Sequence, residues 1–541
     1  MDDFIFFDIH CHPVVKTLFR PENSPLPVWE PIKPRLKVPD GVESQSALDQ
    51  ICITNNMQGT KMNLLCFTRN AIERGMTDQG LLFVASFIYP EYLDLKILIQ
   101  IAHRANSYDW QLSREWGNLI KIPPDGQFAN QQLHFLKSIS EYVDAEDTLY
   151  LSFNIEGGHI FNQSGKICED ISIINIKTKL DEIQKECPII FYFTPTHLTP
   201  NNLITHAYGN KILSNKPFIP RSFGICETGK LLIEELYSRD ILVDVKHMSL
   251  ISRQEFYDLH NASWQHMPII ASHVGFTGLS WKNLAARIRP VCRGIDFVKI
   301  EQEATHGRIM IDIFDPVTKT LNSGNTRFNP NSINLYDEDI ENILLSGGLI
   351  GIIFDVRILG AEIKDTVTEF LSKQEYEKWH EQSGDPNWKI NASRFKEVYE
   401  ESTEQVFYKD DDVDEYLEEL ELYFPINTGY LSDLDYRNKS EKHLLHFINH
   451  ILYIADLCIR NGIPNNPWKQ ICMGSDYDGL IAAMYCCRNV TNLPDFAKQL
   501  RDRIPMEAVK AGITMPTLDI DEFIQDFFYN NAMNLLKKRY P

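Results

Sequence analysis

The stretch FFDIHCHP, residues 6–13, sets two histidines around one cysteine directly behind a short apolar run. If that run is a strand, His10 and His12 project to the same side, because strand side chains alternate. Two imidazoles delivered to one place can hold a metal ion, yet the tripeptide alone is a weak sign. Its meaning depends on what the other short apolar runs deliver. LYLSFNI (149–155) leads into Glu156, in NIEGGH, and IIFYFT (189–194) leads into His197, in TPTHLTP. ILVDV (241–245) is followed by His247, in VDVKHMS, and PIIAS (268–272) by His273, in IIASHVG. ICMGS (471–475) is followed by Asp476 and Asp478, in GSDYDG. Six runs thus end on residue types that bind metals or move protons.

Four imidazoles and two carboxylates exceed the needs of one tetrahedral zinc and suit two divalent cations, zinc being the expected metal. Glu156 would bridge them, since a carboxylate has two oxygens to share. His10 and His12 would hold one ion, and His247 and His273 the other. Asp476 would lie at the metals beside the bound water and take its proton. A bound hydroxide is a nucleophile at neutral pH, so no activated Ser or Cys is required. The chain has no Gly-x-Ser-x-Gly elbow, no P-loop and no dinucleotide fingerprint. His443, His446 and His450 read as ordinary residues of an amphipathic helix, and His159, His206 and His260 receive the same plain reading. The glycines of IEGGH would let backbone pass close to the centre.

These residues can meet only if the runs that carry them lie side by side. Eight such runs recur: the six above, counting FIFFD (4–8) as the first, together with KMNLLCF (61–67) and LIGIIF (349–354). Helical patterns lie between several of them, at 176–187, 227–239, 335–346 and 443–462. Buried strands alternating with helices predict an α/β fold, a (β/α)8 TIM barrel whose active site forms at the C-terminal strand ends. A doubly wound sheet is the alternative. The uneven spacing predicts one barrel over 1–541 with insertions at about 13–42, 275–334 and 357–440. The first holds seven prolines, the second a further strand-like run, RIMIDIFD (308–315), and the third the acidic run DDDVDEYLEELE (410–421). The third would cover the barrel mouth or make an oligomer contact, a homodimer being the assembly to test.

Bulk composition narrows the partners. Against 74 acidic residues stand 53 basic ones, a net charge of −21, which argues against nucleic acid or an anionic membrane as the partner. Eleven cysteines without a CxxC pair read as reduced thiols. The start MDDFIFF has no signal-peptide pattern, and no apolar run is long enough to span a membrane. The expectation is a cytoplasmic protein with a small-molecule substrate.

The motifs IEGGH, THLTPNN, LVDVKHMS, IIASHVG and GSDYDG, in this order, resemble those of the membrane dipeptidase family, the renal-dipeptidase-like M19 metallopeptidases of the amidohydrolase superfamily. FFDIHCHP resembles its opening His-X-Asp motif and YNNAMNLL (529–536) its C-terminal helix, so the resemblance spans nearly the whole chain. It implies a binuclear zinc barrel that hydrolyses dipeptides. It makes His10, His12, Glu156, His247 and His273 metal ligands and Asp476 the acid/base. It gives His197 the task of binding substrate and stabilising the oxyanion.

Two positions depart from the family pattern. His12 stands where the family has Asp, although His-X-His is common in the wider superfamily. The family's Arg for the substrate carboxylate falls in a rebuilt region, where Arg287, Arg289 and Arg327 are the candidates and Arg327, in TRFNPNSIN, is favoured. Two other readings compete with the dipeptidase. One is an amidohydrolase for a lactone, a cyclic amide or an N-acyl amino acid; the other is a metal-bearing scaffold without turnover.

Overall fold

A computed structural model describes residues 4–12, 61–70, 132–143, 148–161, 170–186, 188–197, 201–207, 224–282, 288–290, 308–314, 327–361, 366–372, 433–463, 466–477, 481–513 and 519–540. The expected insertion at 13–42 lies outside them, as does 373–432 within the third insertion.

All eight apolar runs contain strands. They are β1 (Ile5–Cys11), β2 (Lys61–Asn70), β4 (Thr148–Glu156), β5 (Ile190–Thr194), β6 (Leu242–Val243), β7 (Ile270–Val274), β10 (Leu349–Ile352) and β12 (Ile471–Met473). β3 (Gln132–Phe135), absent from the sequence reading, lies parallel on β4. With β3, five further strands form one six-stranded parallel sheet in the order β1-β2-β4-β5-β6, and three form a second, β12-β10-β7. The strands β5, β6, β7, β10 and β12 are buried at every residue. This explains their mostly apolar character, since a parallel strand covered on both faces has no solvent side to make polar.

The two sheets meet at both edges. Asp244 bridges to Ile270 in parallel, with Val245 N donating to Ile270 O at 2.8 Å. Cys11 bridges to Tyr477 in parallel, with His12 N donating to Tyr477 O at 2.8 Å and Asp476 N to His10 O at 2.9 Å. At these two seams the backbone ladder is reduced to isolated bridges.

A third, antiparallel sheet has the order β11-β9-β8, from β8 (Ile288–Pro290), β9 (Arg308–Phe314) and β11 (Thr366–Ser372). RIMIDIFD is therefore a strand, as expected. Its partner comes from beyond residue 357, so segments assigned to two separate insertions pair with each other.

Helices α1 (Ile173–Glu186), α2 (Glu227–Ser238), α3 (Leu250–Ser263), α4 (Asp337–Leu345) and α5 (Val356–Leu359) follow in chain order. Then come α6 (Asp433–Asn461), α7 (Leu493–Lys510), α8 (Ile520–Gln525) and α9 (Asn531–Arg539), with a π turn at Asp526–Asn530. Ser249 caps α3 by accepting from Ser252 N at 3.2 Å, and that cap starts the helix directly behind VDVKHM. No helix among the described residues is long and apolar enough to cross a membrane. Cys11, Cys458, Cys472, Cys486 and Cys487 are buried, and Cys226 is partly exposed.

His443, His446 and His450 do sit on a helix, but all three are buried. His446 Nε2 donates to Leu359 O at 2.8 Å, His450 Nδ1 donates to His446 O at 3.0 Å, and His443 Nδ1 accepts from Tyr485 N at 3.1 Å. Burial pushes His443 down to about 3 and His446 to about 4, and holds His450 well below the usual range. In the folded chain they are neutral, whereas unfolded they take protons below about pH 6.5. Their contribution to stability is therefore full above pH 6.5 and is lost as the pH falls towards 4. The melting temperature is expected to drop across this window, and the double variant His443→Gln, His446→Gln to drop less steeply. Parallel slopes for parent and variant would refute the assignment.

Candidate metal centre

Seven residues named from the sequence come together: His10, His12, Glu156, His197, His247, His273 and Asp476. Glu156 is the hub. Its Oε1 lies 3.1 Å from His247 Nε2, 3.5 Å from His273 Nε2 and 3.7 Å from His10 Nε2. Its Oε2 lies 3.4 Å from His12 Nε2 and 3.6 Å from His197 Nε2. Asp476 Oδ1 lies 3.0 Å from His12 Nε2 and 3.7 Å from His10 Nε2. Three overlapping groups, His10–His12–Glu156, His10–His273–Asp476 and Glu156–His197–His247, each keep their ligand atoms within 4.8 Å of one another.

The arrangement fits a metal on two counts. Both carboxylate oxygens of Glu156 are buried without a hydrogen-bond partner, at 0% exposure. A buried carboxylate left this way is costly unless a cation meets it. The second count is spacing. His10 Nε2 and His12 Nε2 lie 3.1 Å apart, and His247 Nε2 and His273 Nε2 lie 3.2 Å apart. Two nitrogens at about 2.0–2.1 Å from one tetrahedral ion are about 3.3–3.4 Å apart, and both pairs are slightly tighter than that.

Charge tells the same story. Burial, helped by Asp476 and Asp244 and opposed by His12 and Lys246, pushes the Glu156 carboxyl up to about 8. Burial also raises Asp476, against its hydrogen bond with His12. His10, His247 and His273 fall well below their usual value, through burial first and then through neighbouring imidazoles and Lys246. A divalent cation inverts this logic for carboxylates and uses the lone pairs of neutral imidazoles.

Backbone geometry aims the side chains. His247 and Asp476 have φ of 65° and 60°, left-handed values that Asp and His tolerate better than most residues. The strain is offset locally: His247 O accepts from Ala207 N at 2.6 Å, and Asp476 N donates to His10 O at 2.9 Å. Gly157 has φ 104°, and a Cβ on Gly158 would lie 2.3 Å from Pro195 O. The close approach that IEGGH permits is thus to the backbone just before His197, not to the ligand cluster.

Polar residues that the sequence reading passed over hold the two seams. Asp8 Oδ1 accepts from His10 N at 3.2 Å and Ser475 N at 3.0 Å, while its Oδ2 accepts from Ser475 Oγ. Asp244 Oδ1 accepts from Lys246 N and Ser272 N, each at 3.0 Å. Its Oδ2 accepts from Ser272 Oγ and Thr194 Oγ1, each at 2.6 Å. The two Asp–Ser clamps repeat one pattern: a carboxylate takes the N–H two residues on, plus the N–H and hydroxyl of a Ser across the seam. Each Ser precedes a centre residue, Asp476 or His273. A lone Asp or Ser in an apolar strand, as in FFDIH, LVDVKH, ASH and GSD, was the available signal. Lys246 was also passed over; it is 2% exposed, with Nζ 3.4 Å from Ile333 O.

The arginines fare differently. Arg327 is half-buried at the head of segment 327–336. Arg287 and Asp478 lie outside the described residues, and Arg289 is described as backbone of β8.

With the geometry in hand, solved structures provide a comparison. The probable dipeptidase PvdM from Pseudomonas aeruginosa matches over 99% of this chain and 96% of its own, at 12% identity and a TM-score of 0.50. This chain shares the fold of that protein. The dipeptidase AC, a metallopeptidase of family M19, matches over 100% and 99% at 13% identity and a TM-score of 0.45. A metallopeptidase from Rhodobacter sphaeroides, liganded with a phosphinate mimic of the dipeptide L-Ala-D-Ala, matches over 100% of both chains at 13% identity and 0.46. No family model and no curated protein matches the sequence.

The clamps yield a stability prediction. Asp8→Ala leaves three donors without their acceptor, and each buried unsatisfied group costs about 1–3 kcal/mol. The urea midpoint should fall clearly below the parent's, whereas Asp495→Ala, at an exposed site, should stay within about 0.5 kcal/mol of it. Equal midpoints for all three proteins would overturn the role given to Asp8.

Proposed function

We propose that this chain is a metal-dependent hydrolase that cleaves the amide bond of dipeptides or similar small substrates at a centre for two zinc ions. The observation that carries this reading is Glu156, both oxygens unpartnered, among five imidazole Nε2 atoms of which four pair close to tetrahedral spacing. His10 and His12 would hold one ion, His247 and His273 the other, and Glu156 both. The shared fold with a probable dipeptidase supports the choice of amide hydrolysis.

The same reading takes the two parallel sheets as one (β/α)8 barrel, residues 1–541 forming a single unit with insertions. Supporting it are eight strands, all parallel, and the bridges Asp244–Ile270 and Cys11–Tyr477, which link each edge of one sheet to an edge of the other. Every centre residue then sits at a C-terminal strand end, where such barrels place their chemistry.

Two bound divalent cations would supply Lewis acidity and a lowered water pKa. The chain's own part follows from its side chains. Asp476 is the most open of the acidic groups, with 14% of its side chain exposed, and it accepts the proton of the attacking water and returns it to the departing amine. His197 has 11% of its side chain exposed and lies 3.6 Å from Glu156, so its N–H can reach the oxygen that becomes negative in the transition state. Arg327, Arg287 or Arg289 would take the substrate carboxylate.

Protein purified without chelator should contain close to two equivalents of metal by elemental analysis. A ratio near zero that added zinc does not raise would sink the proposal. Asp476→Asn should keep most of the metal and lose activity by about 10²–10⁴-fold, the usual contribution of a general base. Turnover within about threefold of the parent would remove Asp476 from this role. A panel of dipeptides, N-acyl amino acids, cyclic amides and lactones, assayed with added zinc, separates the dipeptidase from the other amidohydrolases; inertness towards all of them favours the scaffold.

A further inference from the structure

A neutral imidazole carries a proton on one ring nitrogen and a lone pair on the other. A metal takes the lone pair, so a ligand histidine must keep its proton on the remote nitrogen. Which nitrogen is protonated is set by the partner of that remote nitrogen. For His10 and His273 that partner is a hydroxyl whose own proton is already committed.

His10 Nδ1 lies 2.8 Å from the hydroxyl of Tyr192. That hydroxyl also lies 2.8 Å from Ile9 O, a carbonyl that can only accept. Its single proton goes to Ile9, so towards His10 it is an acceptor, and His10 Nδ1 must be the donor. His10 Nε2 then faces Glu156 and His12 with its lone pair. His273 repeats the device. Its Nδ1 lies 2.8 Å from Ser272 Oγ, whose proton goes to Asp244 Oδ2 at 2.6 Å. Asp244 accepts four donors in all, which leaves the serine hydroxyl as the donor in that contact. His273 Nε2 is thereby also left unprotonated. His247 Nδ1 has no hydrogen-bond partner among the described residues.

We infer that Tyr192 and the Ser272–Asp244 pair are positioning residues that lock the Nδ1–H tautomers of His10 and His273, one histidine in each proposed metal pair. The inference rests on the metal-centre reading above. Each hydroxyl serves a different ion: Tyr192 acts on the His10–His12 pair and Ser272 on the His247–His273 pair. The two locked rings stack on each other with centroids 3.7 Å apart, so a turn of either ring would disturb the other.

The test uses the full-length protein in metal-free and metal-titrated form. Histidine side-chain ¹⁵N spectra of the metal-free parent should show two rings fixed as Nδ1–H. Tyr192→Phe, which removes only the hydroxyl, should return one of them to a tautomer mixture. In a zinc titration against a competing chelator, the same variant should bind one equivalent about 10–100-fold more weakly and the other as the parent does, the usual effect of losing such a partner. Ser272→Ala should weaken the opposite equivalent, and Ser272→Thr, which restores a hydroxyl, should recover it. Circular dichroism reports whether each variant remains folded; if Ser272→Ala does not, Tyr192→Phe decides alone. Both equivalents at parental affinity in Tyr192→Phe, with unchanged ¹⁵N spectra, overturn the inference and leave the metal centre standing. A parent that takes up no metal overturns the metal centre instead.

Discussion

The structure depends on two buried carboxylates, Asp8 and Asp244, each clamped to a serine across a seam between sheets. Elsewhere the strands are held by backbone ladders of two or more paired residues. At these two seams the ladder thins to isolated bridges, and the side chains take over the joining. Burial alone would disfavour the charge on such groups, and it pushes Asp8 up to about 7. The N–H and O–H groups of Ser475 and the N–H of His10 pull the other way, so the carboxyl is useful only while the seam stays closed. That makes each clamp a check on register: a slip by one residue would leave an acid in the core without donors.

The same seams carry the residues that gather around Glu156. His10 and Asp476 flank one, His247 and His273 the other, while Glu156 and His197 come from the strands β4 and β5 between them. A residue joined by backbone to a clamp has little freedom to drift. Left-handed backbone at His247 and Asp476 completes the aim, at a cost that neighbouring hydrogen bonds offset. The result is a dense group of imidazoles around one carboxylate, with His10, His247 and His273 held neutral by burial. Five ring nitrogens lie within 3.1–3.7 Å of the Glu156 oxygens.

The antiparallel sheet β8-β9-β11 shows how the additional sequence is accommodated. Its strands come from two stretches far apart in the chain, and they bond to each other in register from Thr366 opposite Phe314 to Ser372 opposite Arg308. A segment that pairs with another insertion takes no place among the parallel strands.

Much of this was legible in the sequence. The eight apolar runs are strands because a strand covered on both faces is mostly apolar, and residues that follow six of them come together around Glu156. The pairing of His10 with His12 followed from strand alternation. Other features were not legible, because they depend on atoms distant in the chain. The roles of Asp8, Ser475, Asp244, Ser272 and Tyr192 require knowing which strand ends lie side by side, and a single buried acid in an apolar run looks the same whether it is clamped or exposed. The helix of His443, His446 and His450 had the right period, but its depth of burial depends on what packs over it. The pairing of β9 with β11 joins segments whose separation no local pattern reports. The sequence by itself determined which residues could bind a cation and where strands would form, since both are set by side-chain chemistry and nearest-neighbour period. Only the tertiary structure decided which nitrogens converge, which hydroxyls hold them and how the sheet edges close, since these are distances between groups that meet only when the chain has folded.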